Sequence, residues 1–369
     1  MNQKYPFLKS LKPTIREIDK YLPGESKSMS GKKIAKLSSN ESPFKLSVKL
    51  KEKIFDELSK ANKYPDGNCE ILKKALSKKF ILNPKQIICG NGSDDILSLI
   101  CLAFGREGTE VICCKESFSF YPIIGRSCGA QINFANTNNL KVSFKNIKEK
   151  INDRTRIIFI ANPNNPTGTV IFKQDLISGL KEIPERIIVV IDGAYAEYVE
   201  DTRFSDSLSL IKQFPNLIVT RTFSKIYGLA GLRIGWGYSS KGIIEILEKI
   251  RGPFNVNQVA QLAAEKLLND SKFLKKSLVH NRKWKKIISS ELTDLGFFVN
   301  DSFANFLLVK SNIKKLSSIF LVRELKKNNV FVRGLKNYGL NDFFRVSIGG
   351  EDELKLFIKK LKVIIKKYS

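Results

Sequence analysis

The sequence predicts an α/β protein: a large domain on a mostly parallel sheet covered by helices, plus a smaller α+β domain. Three observations carry that expectation. Short runs rich in Ile and Val, such as RIIFIA and RIIVVID, are continuously apolar, the pattern of strands buried on both faces. Helix-periodic stretches precede most of these runs. The chain has 369 residues, 43% of them hydrophobic, enough for two cores at ~100–200 residues per domain.

The alternation begins near residue 47. VKLKEKIFDELSK and CEILKKALSKKF read as helices, QIIC as a strand, and SDDILSLICLAF as a helix opening near Ser93. EVICC, AQINFA, RIIFIA, RIIVVID and NLIVTR follow as strands. After that the pattern changes. A long polar helix over about 270–295 leads to short strands at FFV and FLLVK, then a helix at LSSIFLVRELKKN. Strands at VFVRG and FFRVSIGG and a Lys-rich helix complete an α+β layout. The expected division is a large domain over 41–270, a small one over 271–369, and an N-terminal segment, 1–40, joined to the small domain. No internal repeat or low-complexity linker is visible.

Composition removes several classes. No apolar run approaches the ~20 residues of a bilayer span, and the longest, Ile96 to Phe104, is interrupted by Ser98. MNQKYPFLKSLKP lacks the apolar centre of a secretory signal, so the cytoplasm is the expected compartment and no membrane partner is expected. Lys and Arg number 63 against 36 acids, a net charge of +27, and 49 of the 63 are Lys. These are spread along the whole chain without a basic tail. That is a composition bias rather than a nucleic-acid footprint, which would cluster basic and aromatic residues. All six cysteines fall in the first 128 residues, none in C-x-x-C and most in apolar segments, so buried free thiols are expected rather than a zinc site or disulfides. With His280 the one histidine, in LVHNRKWKK, a packed helix position is expected of it and no metal site at all.

Ligands of open α/β sheets bind beyond the carboxyl ends of the strands, and five such places carry unusual residues. GNGSDD follows QIIC, where Gly90 and Gly92 permit a tight turn into a helix N-terminus suited to a phosphate, or simply an N-capped turn. NPNNPTG, Asn162 to Gly168, follows RIIFIA; a turn needs no second Asn-Pro, so an amide offered to a ligand is the better reading. Asp192 ends RIIVVID, either as a cap or as the partner of a cation, since a buried carboxylate is costly alone. Thr222-Phe-Ser224-Lys225 follows NLIVTR, with Arg233 eight residues on, combining an amine nucleophile with anion ligands. Arg345 lies in an apolar strand, where an Arg needs a carboxylate or phosphate to hold. Each feature is ambiguous singly. One cofactor uses a Schiff-base Lys, an Asp for a pyridinium nitrogen, donors for a phenolate oxygen and a phosphate cup together: pyridoxal 5'-phosphate.

The order GNGSDD, NPNNPTG, DGAY, TFSKIYGLAGLRIG and RVSIGG resembles the class-II, fold-type-I pyridoxal-phosphate aminotransferases. KYLPGES, KLSSNESPF, KYPDG, RGPFNVNQVAQ and FRVSIGGEDEL resemble the histidinol-phosphate aminotransferase branch, and the match runs from about Tyr21 to the C-terminus. The resemblance implies a seven-stranded type of sheet and a homodimer whose partner packs on the N-terminal segment. It implies that Lys225 bonds the cofactor and shuttles a proton, that Asp192 holds the ring nitrogen protonated, and that Asn165 and Tyr195 bond the phenolate oxygen. The phosphate would be held by the Ser93 and Asp94 amides, Thr222, Ser224 and Arg233, with Tyr64 reaching across the dimer. Phe118 would stack on the ring. Arg345 would grip a substrate carboxylate, with Tyr21, Asn40, Asn165 and Arg333 also toward the substrate.

Two departures stand out. Many relatives have Asp-Glu-Ala-Tyr where this chain has Asp192-Gly193-Ala194-Tyr195, and the stacking ring is Phe118 rather than Tyr. The implied reaction takes L-histidinol phosphate and 2-oxoglutarate to imidazole-acetol phosphate and L-glutamate, in histidine biosynthesis. An aromatic amino-acid aminotransferase or a threonine-phosphate decarboxylase would share nearly all of these residues. A basic nucleic-acid-binding protein is the alternative of a different class.

Overall fold

The computed structural model describes residues 9–25 and 34–368. Two stretches of the expected N-terminal segment, residues 1–8 and 26–33, therefore lie outside the described residues. Twelve strands are described: β1 (Ala35–Leu37), β2 (Ile87–Gly90), β3 (Glu110–Cys114), β4 (Gln131–Ala135), β5 (Thr155–Ala161), β6 (Ile188–Asp192), β7 (Leu217–Thr222), β8 (Gly235–Ser239), β9 (Phe297–Val299), β10 (Phe306–Ser311), β11 (Val330–Gly334) and β12 (Phe343–Ser347).

They form two sheets. The larger has seven strands in the order β2-β8-β7-β6-β5-β3-β4, all parallel except β8, which runs antiparallel between β2 and β7. The continuous apolar runs pack on both faces, as two-sided burial requires. In β5, Ile157 and Phe159 face one core while Ile158 and Ile160 face the other. Because the parallel strands end at one edge, the residues after Gly90, Ala161, Asp192 and Thr222 share that edge. β8 is absent from the sequence-based expectation. Its Gly235 begins at that same edge, where an added Cβ would collide with the Ser93 amide nitrogen.

The five-stranded sheet has the order β1-β11-β12-β10-β9, antiparallel except for the β1–β11 pair. β1 comes from the N-terminal segment, and its Lys36 amide donates to Glu353 Oε1 of the last helix at 2.9 Å. Residues Ser38 to Glu41 then carry the chain across to the large sheet. The polar helix predicted near 270–295 is Ser271–Asp294, opened by the Asp270 side chain accepting from the Phe273 amide. The final helix, Glu351–Tyr368, starts with Glu351, Asp352 and Glu353 and ends with Lys366 and Lys367, complementing its dipole at both ends.

Five cysteines are buried and Cys128 is half-buried, all as free thiols. His280 is packed, its Nε2 2.9 Å from the Gly349 carbonyl and its ring edge-on to Phe44. Among the described residues no cluster suits a metal ion, and no helix is long and apolar enough to cross a membrane.

Candidate active site

At the shared strand edge, between the two sheets and under residues 38–41, lies a cavity of about 440 Å³. Every expected site residue but one lines it: Tyr21, Asn40, Ser93, Asp94, Phe118, Asn165, Asp192, Tyr195, Thr222, Ser224, Lys225, Arg233, Arg333 and Arg345. The exception is Tyr64, which is 83% exposed on the surface and stacked on Phe254 at 4.6 Å.

One end of the cavity is a cup for an anion. The helix Ser93–Phe104 begins there after Gly92, with no side chain capping its first amides. Gly92 has φ +93°, and a Cβ on it would run into the Arg233 guanidinium and the Asp94 carboxylate. Glycine is thus needed both for the turn and for the approach of Arg233. That guanidinium donates to Ser224 Oγ at 3.3 Å and to Asp94 Oδ1 at 2.7 Å. Thr222 Oγ1 accepts from the Ser224 amide at 3.1 Å, fixing the turn that presents both hydroxyls. Two hydroxyls, free helix amides and a guanidinium converge on one point.

Deeper in lies Lys225, whose Nζ donates to the Ser39 carbonyl at 3.4 Å and lies 5.6 Å from the centre of the Tyr195 ring. Burial, reinforced by the neighbouring Arg345 charge, brings its amine down to about 8. Asp192 ends β6 with its carboxylate buried and no cation paired to it among the described residues. Burial pushes that carboxyl upward, opposed by hydrogen bonds from the Tyr121 hydroxyl at 2.8 Å and the Ala194 amide at 3.2 Å. Burial also holds the Tyr195 phenol up at about 12, so it remains a donor. Asn40 Nδ2 donates to its oxygen at 3.0 Å.

The asparagines of NPNNPTG divide their work. Asn162 pairs through its side chain with both main-chain groups of Ile171, and Asn164 bonds Ser117, the Glu116 carbonyl and Thr167. These two hold the turn. Asn165 faces the cavity, where its Oδ1 accepts from Arg345 Nη1. Arg345 Nη2 donates to the Ser38 carbonyl at 2.9 Å, and its Nε is buried without a partner. Arg333 stands opposite Arg345 in the β11–β12 register and donates to the Leu22 carbonyl at 2.6 Å. Neither arginine is in an ion pair among the described residues. Two like charges directly opposite on neighbouring strands repel, so the pair marks an anion site.

Sequence reasoning missed Tyr121, Ser39, Glu41 and Tyr338, all at the cavity wall. Tyr121, buried, stacks on Phe159 at 4.8 Å. Its spacing three residues after Phe118 was the available signal. Tyr338 meets Ser119 Oγ at 3.4 Å from far along the chain, a contact no local pattern encodes. The Gly193 departure has a local reason as well. A Cβ there would lie 3.0 Å from the Nε of Arg221, a buried residue 3.6 Å from Glu197.

Comparison with known proteins matches residues 32–361 to the family described as aminotransferase class I and II. Histidinol-phosphate aminotransferase of Pelagibacter ubique is 39% identical over 94% of this chain and 97% of its own length. That of Rhodospirillum rubrum is 35% identical over 95% of each. A crystal structure of histidinol-phosphate aminotransferase from Sinorhizobium meliloti, in complex with pyridoxal-5'-phosphate, superposes with a TM-score of 0.88 and 25% identity. That match covers 97% of this chain and 98% of the other.

Proposed function

The chain belongs to the class I and II aminotransferases, and from that membership we propose that it exchanges an amino group between L-histidinol phosphate and 2-oxoglutarate, with pyridoxal 5'-phosphate as cofactor. The products are imidazole-acetol phosphate and L-glutamate, a step of histidine biosynthesis. The observation that carries the substrate class is the Arg333–Arg345 pair: two buried guanidiniums in register with no carboxylate between them. Histidinol phosphate has no α-carboxylate, so the same pair serves its phosphate and the carboxylates of glutamate in turn.

The cavity fits the cofactor. An uncapped helix start cleared by Gly92 suits a phosphate, and a buried carboxylate lacking a cation suits a protonated ring nitrogen. An amine held near 8 suits bond formation with an aldehyde. The Ser93 and Asp94 amides, Thr222, Ser224 and Arg233 would hold the phosphate, Phe118 the ring face, and Asn165 and Tyr195 the phenolate oxygen. When bound, pyridoxal phosphate supplies a ring that draws off the electron pair left as a proton departs from the substrate's amine-bearing carbon.

The chain's residues do the rest. Lys225 Nζ would take the proton from that carbon and deliver it to the former aldehyde carbon of the cofactor, and its burial favours the neutral form that can accept it. Arg345, with Asn165 on one nitrogen and the Ser38 carbonyl on another, orients the anionic end of the substrate. Asn40 holds the Tyr195 hydroxyl, and Tyr21 and Arg333 face the distal phosphate. The working form we propose is a cytoplasmic homodimer in which the N-terminal segment packs on the partner and the exposed Tyr64 reaches the partner's phosphate cup. The exposed stacked pair Tyr64 and Phe254, with Phe55, Leu58 and Ile71 also exposed, supports that assembly.

Steady-state kinetics with three amino donors test the substrate. Glutamate formation with a kcat/KM for L-histidinol phosphate far above that for L-phenylalanine is expected. A preference for phenylalanine, or release of carbon dioxide from threonine phosphate, would overturn the assignment.

A further inference from the structure

We propose that Tyr121 is a positioning residue whose hydroxyl keeps the Asp192 carboxylate ionised and aimed at the cofactor's ring nitrogen. This rests on the cofactor assignment above.

The Tyr121 hydroxyl donates to Asp192 Oδ2 at 2.8 Å, and the Ala194 amide donates to Oδ1 at 3.2 Å. Both side chains are buried. The Tyr121 ring is parallel to Phe159 within 5° at 4.8 Å, which fixes the direction of its hydroxyl. A carboxylate so enclosed reverts to the acid unless something favours its charge. The groups facing Asp192 pull in both directions. Thr220 of β7 offers a hydroxyl, Lys225 a positive charge, Asp94 an opposing negative one, and Tyr195 an opposing phenol. Tyr121 therefore supplies a donor that remains protonated, since burial and the Asp192 charge hold its phenol well above the usual range. An acidic Asp192 could not pair with a protonated ring nitrogen, and the ring would draw electrons less strongly.

Packing alone does not explain a tyrosine here. Phenylalanine would fill the same space and stack on Phe159 equally well. Only the hydroxyl needs Asp192.

The experiment uses holoenzyme reconstituted with ¹⁵N-ring-labelled pyridoxal phosphate, comparing wild type, Tyr121→Phe, Asp192→Asn and the double variant. Tyr121→Phe is expected to weaken cofactor binding about tenfold, the usual scale for a hydrogen bond to a charged group. It should also lower the pH at which the ring nitrogen loses its proton, read from the ¹⁵N shift. In the Asp192→Asn background the same change should alter cofactor affinity by less than about twofold, because its effect passes through the carboxylate. An unchanged ring-nitrogen titration in Tyr121→Phe, or an equal loss of affinity in both backgrounds, would overturn the proposal in favour of packing. Wild-type protein that binds no pyridoxal phosphate would overturn the cofactor assignment and this inference with it.

Discussion

Arg333 and Arg345 face each other across β11 and β12, two buried guanidiniums that each donate to a main-chain carbonyl of the N-terminal segment, at Leu22 and Ser38. The segment that closes the cavity is thus tied down by the same cations that we propose receive the substrate. Carbonyl oxygens offset only part of the repulsion between the two charges, leaving the rest to an anion.

Arg333→Leu should therefore separate stability from function. Removing one of two repelling cations costs the fold little, because exposed Leu22 leaves its carbonyl access to water. The ligand-free variant should melt no lower than wild type, while kcat/KM for L-histidinol phosphate falls by about 30-fold or more, as for loss of a buried charged contact to the ligand. Calorimetry and steady-state kinetics on the same preparation check both halves.

Lys225 gives a pH signature. Its amine in the folded protein lies at about 8, below the ordinary ~10.4 of lysine. Between those values the unfolded chain binds more protons than the folded one, so stability rises with pH across that window. The strain of a buried ammonium is fully present below pH ~8 and relieved by pH ~10.4. The Lys225→Met apoprotein should melt above wild type at pH 7 and the two curves should converge by pH ~10; parallel curves would contradict the burial argument.

Asn40 has φ +55° and joins segments far apart in sequence, receiving Ser347 Oγ on Oδ1 and donating to Tyr195. Asn40→Gly keeps the backbone conformation and loses the side chain, at a cost of ~1–3 kcal/mol. Asn40→Ala adds strain in the left-handed region and should be ~1 kcal/mol less stable again. Equal stabilities of the two variants in urea titrations would show that the backbone conformation carries no strain.

What was legible in the sequence follows from where burial is two-sided. Strands β3, β5, β6 and β7 read as continuous apolar runs because both faces are covered, and the helix after Gly92 announced itself through Ser93 and the apolar spacing behind it. β8, Gly-Trp-Gly-Tyr-Ser, has no such run. It is a strand because β2 and β7 flank it, and its Gly235 answers to the close approach of Gly92 and Ser93, a tertiary fact. β1 is three residues long and exists only through β11. In the cavity, residues next to strand ends were legible because the sheet's geometry makes every carboxyl edge suspect. Tyr338 was not, and Tyr121 offered only its spacing from Phe118, since an aromatic in an apolar stretch looks the same whether it fills a core or meets a carboxylate.

Tyr64 tests the assembly. It lies outside its own chain's cavity, so a cross-subunit role predicts complementation. Lys225→Ala homodimers should be inactive, and Tyr64→Ala homodimers should bind cofactor weakly. Mixed and reassembled, the two should yield hybrids in which the Lys225→Ala subunit lends its Tyr64 to an intact Lys225 site. Recovered activity at low pyridoxal phosphate is expected. No recovery, with hybrid dimers confirmed by mass, would place Tyr64 outside the site.

The most direct measurement is a single half-reaction: holoenzyme mixed with L-histidinol phosphate without any 2-oxoglutarate, with the organic product identified and counted. Amino transfer predicts one equivalent of imidazole-acetol phosphate per protomer and no more, then one equivalent of L-glutamate when 2-oxoglutarate is added. Absence of product with histidinol phosphate, alongside a full equivalent of keto acid from phenylalanine, would contradict the assignment of substrate to this site.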